Sequence, residues 1–140
     1  MRTILQRVSH ASVTVDDQVI GAIEHGLMVL AAVRIGDNAA DAEWMAGKIA
    51  GLRIFPDEQG RMNRSVVDVG GKVLLVPQFT LYGDARKGRR PSFVESASRD
   101  SAIPVLEETG NVAVWKTIID RESQPPPLGI VTDSAFWRNI

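Results

Sequence analysis

The sequence predicts a single domain of the α/β class, of the α+β type, with a mostly antiparallel β-sheet and a helix on one face. Two features of the sequence predict this fold. Short β-branched segments of alternating polarity fill the first part of the chain, and a pair of glycines between two later apolar segments is typical of a hairpin. A length of 140 residues suits one domain, so residues 1–140 are expected to fold together.

Several strands are expected in the first quarter of the chain. Residues 3–8 and 12–19 alternate partly between apolar and polar side chains, which is typical of strands with one buried face. Within the second segment, residues 16–18 are expected to form a tight turn into a further apolar stretch. Residues 27–33 are continuously apolar, which predicts a central strand covered on both faces.

A helix and a hairpin are expected in the middle of the chain. Apolar side chains recur at helical spacing between residues 39 and 52, after a break at residues 36–38 that offers capping side chains. Residues 65–69 and 72–79 flank the glycine pair, so they are expected to pair as the two strands of a hairpin.

The remaining elements are short or ambiguous. A strand is expected at residues 53–55, followed by a turn rich in glycine and proline signals. Residues 95–108 predict a broken helix in which Pro104 either introduces a kink or starts a second helix. Residues 112–119 suit a strand or an amphipathic turn.

Composition excludes several kinds of site. The chain has no cysteine, which rules out disulfides and cysteine metal sites, and its two histidines lack a metal-ligand spacing. We therefore expect no metal and no cofactor. Nucleophile elbows, Walker loops and dinucleotide fingerprints are also missing from the sequence. No apolar run approaches the ~18 residues of a membrane helix, and the first residues do not resemble a signal peptide, so a cytoplasmic protein is expected.

The end of the predicted strand 72–79 is one candidate site. Pro77, Gln78, Phe79 and Thr80 place an amide, an aromatic ring and a hydroxyl where the chain leaves a strongly apolar strand. Strand ends often carry site residues because the sheet fixes their positions. The alternative is that Phe79 belongs to the core, and that Gln78 and Thr80 only cap the sheet edge.

Residues 86–93, here called the basic segment, form the second candidate site. Its cations are Arg86, Lys87, Arg89 and Arg90, and Phe93 follows them. Because the whole chain has a net charge of −1, a nucleic acid would have to bind at such a local patch. Arginine suits bidentate phosphate contacts, and an adjoining aromatic ring can stack on an exposed base. The alternative is a solvated basic loop.

These segments belong to a longer series of motifs in residues 1–93. The series comprises Arg2 with Gln6-Arg7-Val8, Ala11-Ser12-Val13, Gly26-Leu27, Lys48-Ile49, Leu52-Arg53-Ile54-Phe55, Gly60-Arg61-Met62-Asn63, Asp68-Val69-Gly70-Gly71, Gln78-Phe79-Thr80-Leu81-Tyr82 and Arg86-Lys87-Gly88-Arg89-Arg90-Pro91-Ser92-Phe93. In order and spacing it resembles the D-aminoacyl-tRNA deacylase family, also described as D-tyrosyl-tRNA(Tyr) deacylases. The last two motifs are the most specific.

Two departures from the family pattern bear on function. Pro77 stands where the family's Ser-Gln-Phe-Thr motif has serine, which removes a hydroxyl and a backbone N–H. The family's C-terminal Asn-x-Gly-Pro-x-Thr signature is not recognisable, and Gly129 with Ile130 resembles only a remnant of it. A cis bond before Ile130 would cost about 2.5–4 kcal/mol. Residues 94–140 are therefore expected to be divergent or atypical, either as a divergent family segment or as the product of a shifted reading frame.

The resemblance implies a barrel-like core with helices packed outside, a homodimer, and hydrolysis of the ester that joins a D-amino acid to tRNA. Glycyl-tRNA is an expected second substrate, since glycine is achiral. By position in the motifs, the expected catalytic residues are Thr80, Gln78 and Phe79, the substrate-binding residues are Arg7, Pro77 and Gly129, and the tRNA-binding residues are Arg86, Lys87, Arg89, Arg90 and Phe93.

An alternative function also fits the sequence. A family member that binds tRNA or DNA without hydrolysis would explain Pro77 and the missing Gly-Pro signature, whereas the retained Gln78, Phe79 and Thr80 favour the enzyme. An ester of an amino acid is already reactive, so positioning and oxyanion stabilisation are enough for catalysis without a triad. A general small-ester hydrolase has little support, because no nucleophile–base pair is visible.

Overall fold

The computed structural model describes residues 1–111, and these form a mixed α+β fold. The strands are β1 (Arg2–Val8), β2 (Ala11–Val15), β3 (Gln18–Ile23), β4 (Gly26–Ala32), β5 (Phe55–Pro56), β6 (Met62–Arg64) and β7 (Lys72–Pro77), and the helices are α1 (Ala39–Gly51) and α2 (Arg99–Asn111). A single turn of 3-10 helix, Phe79–Tyr82, follows β7 and is called the strand-end turn below. The expectations for residues 112–119 and for Gly129 lie outside the described residues.

Strand β4 is the centre of the main sheet, as its continuous apolar sequence predicts. It pairs antiparallel with β1 and parallel with β7, in the order β1-β4-β7. One face of β4, including Leu27 and Val29, packs with both helices in the larger core cluster. On the other face, Leu30 packs with residues of β3 and β7 in a smaller cluster. Both faces of the strand are therefore covered.

The β2–β3 hairpin and helix α1 form where local chemistry predicts them. Asp16 and Asp17 both have positive φ, at 48° and 61°, as the two-residue turn of a tight hairpin requires. Helix α1 begins after Asn38, whose side chain accepts a hydrogen bond from the N–H of Ala40, while the Asp41 carboxylate accepts one from the N–H of Asn38. This capping box satisfies N–H groups that a helix end leaves unpaired.

The predicted hairpin around the glycine pair is wrong. Residues 66–70 form consecutive turns instead of a strand, and β7 pairs with β4. The cause is a local capping arrangement, in which the Asp68 carboxylate accepts from the N–H and hydroxyl of Ser65, and the Ser65 hydroxyl accepts from the N–H of Asp68. These bonds bend the valine-rich segment that the sequence pattern assigned to a strand.

The described sheets are open, so the expected barrel-like core is not found among residues 1–111. A closed barrel gives every strand two neighbours, whereas β1 and β7 each have one partner in the main sheet, and β2–β3 and β5–β6 are separate two-stranded sheets. Mostly antiparallel pairing is confirmed, with β4–β7 as the one parallel pair within the described part. Pro104 lies inside α2, which starts at Arg99 and continues past it.

Candidate active site

The strand-end turn begins at the carboxyl end of β7. Pro77 is the last paired residue of this edge strand, where a missing N–H is tolerated, and it lies opposite Ala31. The N–H of Gln78 continues the ladder by donating to the carbonyl of Ala31 at 2.7 Å. The chain then bends, because the N–H of Leu81 donates to the carbonyl of Gln78 at 3.2 Å. The sheet thus fixes the position of the residues that the sequence predicts as catalytic.

Gln78 and Thr80 are brought together in this turn. The Gln78 side-chain amide donates a hydrogen bond to the Thr80 hydroxyl, which is exposed to solvent. No histidine of the described chain is part of the turn. His25 precedes Gly26, at the far end of β4 from Ala31, where its ring lies against Phe55 at a centroid distance of 5.3 Å. Within residues 1–111, Thr80 therefore has an amide partner and no base that would activate it as a nucleophile.

A cavity of about 270 Å³ opens beside Gln78 and Phe79. Its other walls come from the ends of β4 and β7, from the basic segment, from the connection to α2 and from α2 itself. The residues of these walls are Ala31, Ala32, Val33, Pro77, Phe93, Ser96, Ala97, Ser98, Arg99, Ala102 and Leu106. The lining is mainly apolar, with a few polar groups, as is usual for small-ligand sites.

Residues 96–99 of this lining were not predicted from the sequence. They reach the site because the N–H of Ala97 donates to the carbonyl of Val33 at 2.9 Å and the N–H of Ile35 donates to the carbonyl of Glu95 at 3.1 Å. The one local signal is Ser98, which precedes α2 and accepts at its carbonyl from the N–H of Ala102. A serine before a helical stretch indicates the helix start, but it does not indicate the long-range contact with the end of β4.

The basic segment lies next to the strand-end turn and is closed at its base. The N–H of Asp84 donates to the carbonyl of Ser92 and the N–H of Ser92 donates to the carbonyl of Asp84, both at 2.8 Å. Within the loop so formed, Lys87, Arg89 and Arg90 are exposed. The structure thus presents these three predicted tRNA-binding cations to solvent on one closed loop.

Arg86 differs from the other cations because its guanidinium is already paired. Its Nε and Nη2 donate to the two carboxylate oxygens of Asp84 at 2.9 and 2.6 Å. The side-chain and backbone hydrogen bonds from Arg86 lower the pKa of Asp84 to about 2, and the same carboxylate raises the pKa of Arg86. Both groups are therefore charged over the whole physiological pH range.

Phe93 joins the basic segment to the strand-end turn. Its ring packs edge-to-face on Phe79, with centroids 5.1 Å apart and an interplanar angle of 70°. A methyl group on Gly83 would approach the Phe93 ring at 3.1 Å, so the glycine leaves room for this packing. Phe93 is half-buried, which ties up part of the ring that was predicted to stack on a base.

The structure places Arg7 away from this site within one chain. Arg7 lies opposite Leu27, which pairs with Val73, whereas the site begins four residues further along β7. Its guanidinium donates to the carbonyl of Ile54 at 2.7 Å. Arg2 is the β1 arginine that reaches the strand-end turn, where it donates to the carbonyl of Leu81 at 2.9 Å.

Arg2 also covers the end of the strand-end turn. Its guanidinium carbon lies 4.5 Å from the centroid of the Tyr82 ring, and burial raises the pKa of the Tyr82 hydroxyl. Neither residue was predicted as part of the site.

A metal-ligand cluster of three or more histidine or acidic side chains is not found in residues 1–111, and none of the described helices has the length and apolarity needed to span a bilayer.

Comparison with known proteins identifies the family. Residues 4–118 match the family model described as D-Tyr-tRNA(Tyr) deacylase, so the match extends past residue 93, where the quoted motifs end. A protein of Geobacillus sp. (strain WCH70) named D-aminoacyl-tRNA deacylase is 57% identical over 107 residues, covering 76% of this chain and 70% of its own. A protein of the same name from Roseiflexus castenholzii is 55% identical over an alignment of 149 positions, which covers 99% of this chain and 95% of the relative.

Two solved structures have a similar fold. The c-Myc DNA Unwinding Element Binding Protein superposes with a TM-score of 0.76 at 36% identity, covering 84% of this chain and 78% of its own. A probable eukaryotic D-amino acid tRNA deacylase superposes with a TM-score of 0.71, covering 89% and 72%, and at 20% identity it supports the fold alone. Since the family model spans most of the chain, this protein belongs to the D-Tyr-tRNA(Tyr) deacylase family.

Proposed function

We propose that this protein hydrolyses the ester bond of D-aminoacyl-tRNA, releasing the free D-amino acid and tRNA. One observation carries the proposal. In a chain of this family, Gln78 and Phe79 of the strand-end turn line a small apolar cavity, Thr80 follows them in the same turn, and a closed loop of exposed cations begins just after it. The cavity suits the aminoacylated end of the substrate, and the cations suit its phosphates.

Positioning and oxyanion stabilisation are the catalytic means that the turn supplies. The first N–H groups of a helical turn have no partner within it, so the N–H groups of Phe79 and Thr80 are placed to donate to a developing oxyanion. Losing one such donor costs an acyl-transfer enzyme about 10²–10³ in rate. Gln78 holds the Thr80 hydroxyl, which in turn orients the attacking water or the ester.

Proton transfer does not need a histidine in this mechanism. The ribose hydroxyl next to the ester can move the proton between water and leaving oxygen, so the substrate supplies what the turn lacks. Thr80 as a nucleophile is a weaker proposal, because its hydroxyl bonds to the Gln78 amide, which cannot act as a base.

The remaining roles concern binding. Lys87, Arg89 and Arg90 contact phosphates of the acceptor end, while Phe93 braces the turn through Phe79. Pro77 ends β7 and shapes the cavity wall, and glycyl-tRNA is a second substrate that chiral selection does not exclude.

A homodimer is part of the proposal. Arg7 lies outside the cavity of its own chain, and its proposed role is to orient a segment across a subunit interface. The expected setting is the cytoplasm, where aminoacyl-tRNA is found.

The second candidate function is nucleic-acid binding without hydrolysis. The solved relative named for DNA binding and the departure at Pro77 are in keeping with it. Several curated relatives at 55–59% identity are named deacylases, and this chain keeps the residues of the strand-end turn, so the enzyme is favoured.

The test is hydrolysis of matched D- and L-tyrosyl-tRNA by the full-length chain and by Thr80→Ala, with Thr80→Ser as the matched control that keeps the hydroxyl. We expect cleavage of the D form, a fall of about 10²-fold in kcat for Thr80→Ala from misplaced water, and near-normal kcat for Thr80→Ser. Full activity of Thr80→Ala removes its proposed role. A wild-type chain that binds tRNA but cleaves neither ester supports the binding function instead.

A further inference from the structure

Asp84 organises the base of the basic segment. Its main chain exchanges two hydrogen bonds of 2.8 Å with Ser92, which closes the loop that carries the exposed cations. Its carboxylate accepts three hydrogen bonds from Arg86, from the backbone N–H at 2.9 Å and from the side-chain Nε and Nη2 at 2.9 and 2.6 Å. The backbone of residue 84 therefore closes the loop, and the carboxylate of Asp84 fixes the course of its first residues.

Both ends of the closed loop are attached to the strand-end turn. At one end, Gly83 precedes Asp84 and its N–H donates to the carbonyl of Thr80 at 2.9 Å. At the other, Phe93 follows Ser92 and packs on Phe79. A change in the loop's direction at Asp84 would therefore alter where its cations lie relative to the turn.

Arg86 uses its donors differently from the three exposed cations. A bidentate arginine–carboxylate pair occupies the Nε and one Nη of the guanidinium, and its net charge is close to zero. A phosphate would therefore gain little from Arg86, whereas Lys87, Arg89 and Arg90 have no such carboxylate in the described structure.

We propose that Asp84 is a positioning residue that holds the basic segment in the orientation in which Lys87, Arg89 and Arg90 meet tRNA phosphates, with Arg86 as its partner instead of a phosphate contact. The inference rests on the proposed function only in taking tRNA as the ligand. It also revises the role of Arg86, because the sequence predicts tRNA binding for all four cations of the basic segment.

The proposal predicts that Asp84→Asn weakens tRNA binding, although the change in charge alone predicts the opposite. Asp84→Asn removes a negative charge next to a polyanion site and frees Arg86, so charge alone predicts tighter tRNA binding. Loss of positioning predicts weaker binding. Because the pair is exposed, with 41% of the Asp84 side chain and 85% of the Arg86 side chain accessible, the expected loss is about twofold to fivefold, as for exposed ion pairs.

The experiment measures the dissociation constant of uncharged tRNA for the full-length chain at several salt concentrations. The variants are Asp84→Asn, Arg86→Lys and Arg89→Gln, with Arg61→Lys, at an arginine that pairs with Asp57 outside the basic segment, as the control for the arginine-to-lysine change. We expect Asp84→Asn and Arg86→Lys to weaken binding with the salt slope unchanged. Arg89→Gln should reduce the slope by about 0.7–0.9, the value for one phosphate contact, and Arg61→Lys should bind tRNA with wild-type affinity.

Amide hydrogen exchange of the free proteins measures how firmly the loop is held in the absence of tRNA. The N–H of Arg86, which donates to the Asp84 carboxylate, should exchange faster in Asp84→Asn than in wild type, and at the wild-type rate in Arg89→Gln. Tighter or unchanged tRNA binding by Asp84→Asn would overturn the proposal, as would wild-type affinity of Arg86→Lys or a wild-type chain that binds no tRNA. A wild-type chain that binds tRNA but hydrolyses no D-aminoacyl ester would refute the deacylase function but not the role of Asp84, because that role is tested by tRNA affinity.

Discussion

The contact between Phe79 and Phe93 is the link whose strength can be measured most directly. Replacing each ring by leucine, singly and together, removes the aromatic contact but keeps apolar side chains in place. At a centroid distance of 5.1 Å and an angle of 70°, the pair has the edge-to-face geometry that contributes about 0.5–1.5 kcal/mol beyond burial. We expect the double-mutant cycle to give a coupling free energy in this range.

Urea unfolding of wild type, Phe79→Leu, Phe93→Leu and the double variant gives the four free energies of unfolding. All four are compared at one protein concentration, because self-association would make apparent stability depend on it. Equal slopes of the unfolding free energy against urea would show that the denatured states are comparable. Single-variant effects that add to within about 0.3 kcal/mol would refute the coupling.

The same variants distinguish two roles for Phe93. If its ring braces the strand-end turn, Phe93→Leu lowers kcat for D-tyrosyl-tRNA and leaves tRNA affinity nearly unchanged. If its ring stacks on a base, the variant instead loses about 1–3 kcal/mol of tRNA binding free energy. Weaker tRNA binding with unchanged kcat would contradict the bracing role that the contact with Phe79 indicates.

Three further outcomes follow from the packing and charge of the fold. Gly26→Ala should destabilise the protein by about 3 kcal/mol in urea unfolding, the upper end of the usual overpacking cost, because the added methyl would overlap the backbone oxygen of Lys72, and near wild-type stability would contradict this register. Asn38→Ala should cost about 1 kcal/mol through loss of the α1 cap, and Asn38→Asp should not. The pKa of Asp84 is lowered from 3.8 to about 2, so the stabilisation from its pair with Arg86 is complete above about pH 3.8 and is lost as the pH falls through about 2. Its carboxyl carbon should therefore titrate near pH 2 by NMR, and a midpoint near 3.8 would show that the pair is absent.

Local chemistry predicted the elements whose determinants lie within a few residues. The apolar run of β4, the turn at Asp16 and Asp17, and the cap of α1 are of this kind. The predicted hairpin at Gly70 is wrong because the hydrogen bonds between Ser65 and Asp68 bend the first segment into turns, so that β7 pairs with a strand distant in sequence. Pairing of β7 with β4 is decided by burial of both faces of the sheet, which depends on the whole chain.

The same division explains what was found of the site. Gln78, Phe79 and Thr80 form a contiguous motif at a strand end, so their proximity could be predicted. Ser96 and Ala97 enter the cavity through hydrogen bonds and packing with the end of β4, and no local pattern encodes that contact. The pairing of Arg86 with Asp84 is local, two residues apart, but charge counting alone treats all cations of the segment as equivalent.

The parallel pairing of β4 with β7 has a consequence for how the site is made. Gly26 pairs with Lys72, so the loop between the two strands must close before the strand-end turn acquires a fixed position, and such distant pairings are slow to form. The Gln78 N–H bonds to Ala31 at the end of this ladder, so it should become protected from exchange only with the assembled sheet. A chain still emerging during synthesis, with β7 not yet available, would carry no partly working site, and a destabilised variant would lose turn, cavity and basic segment together.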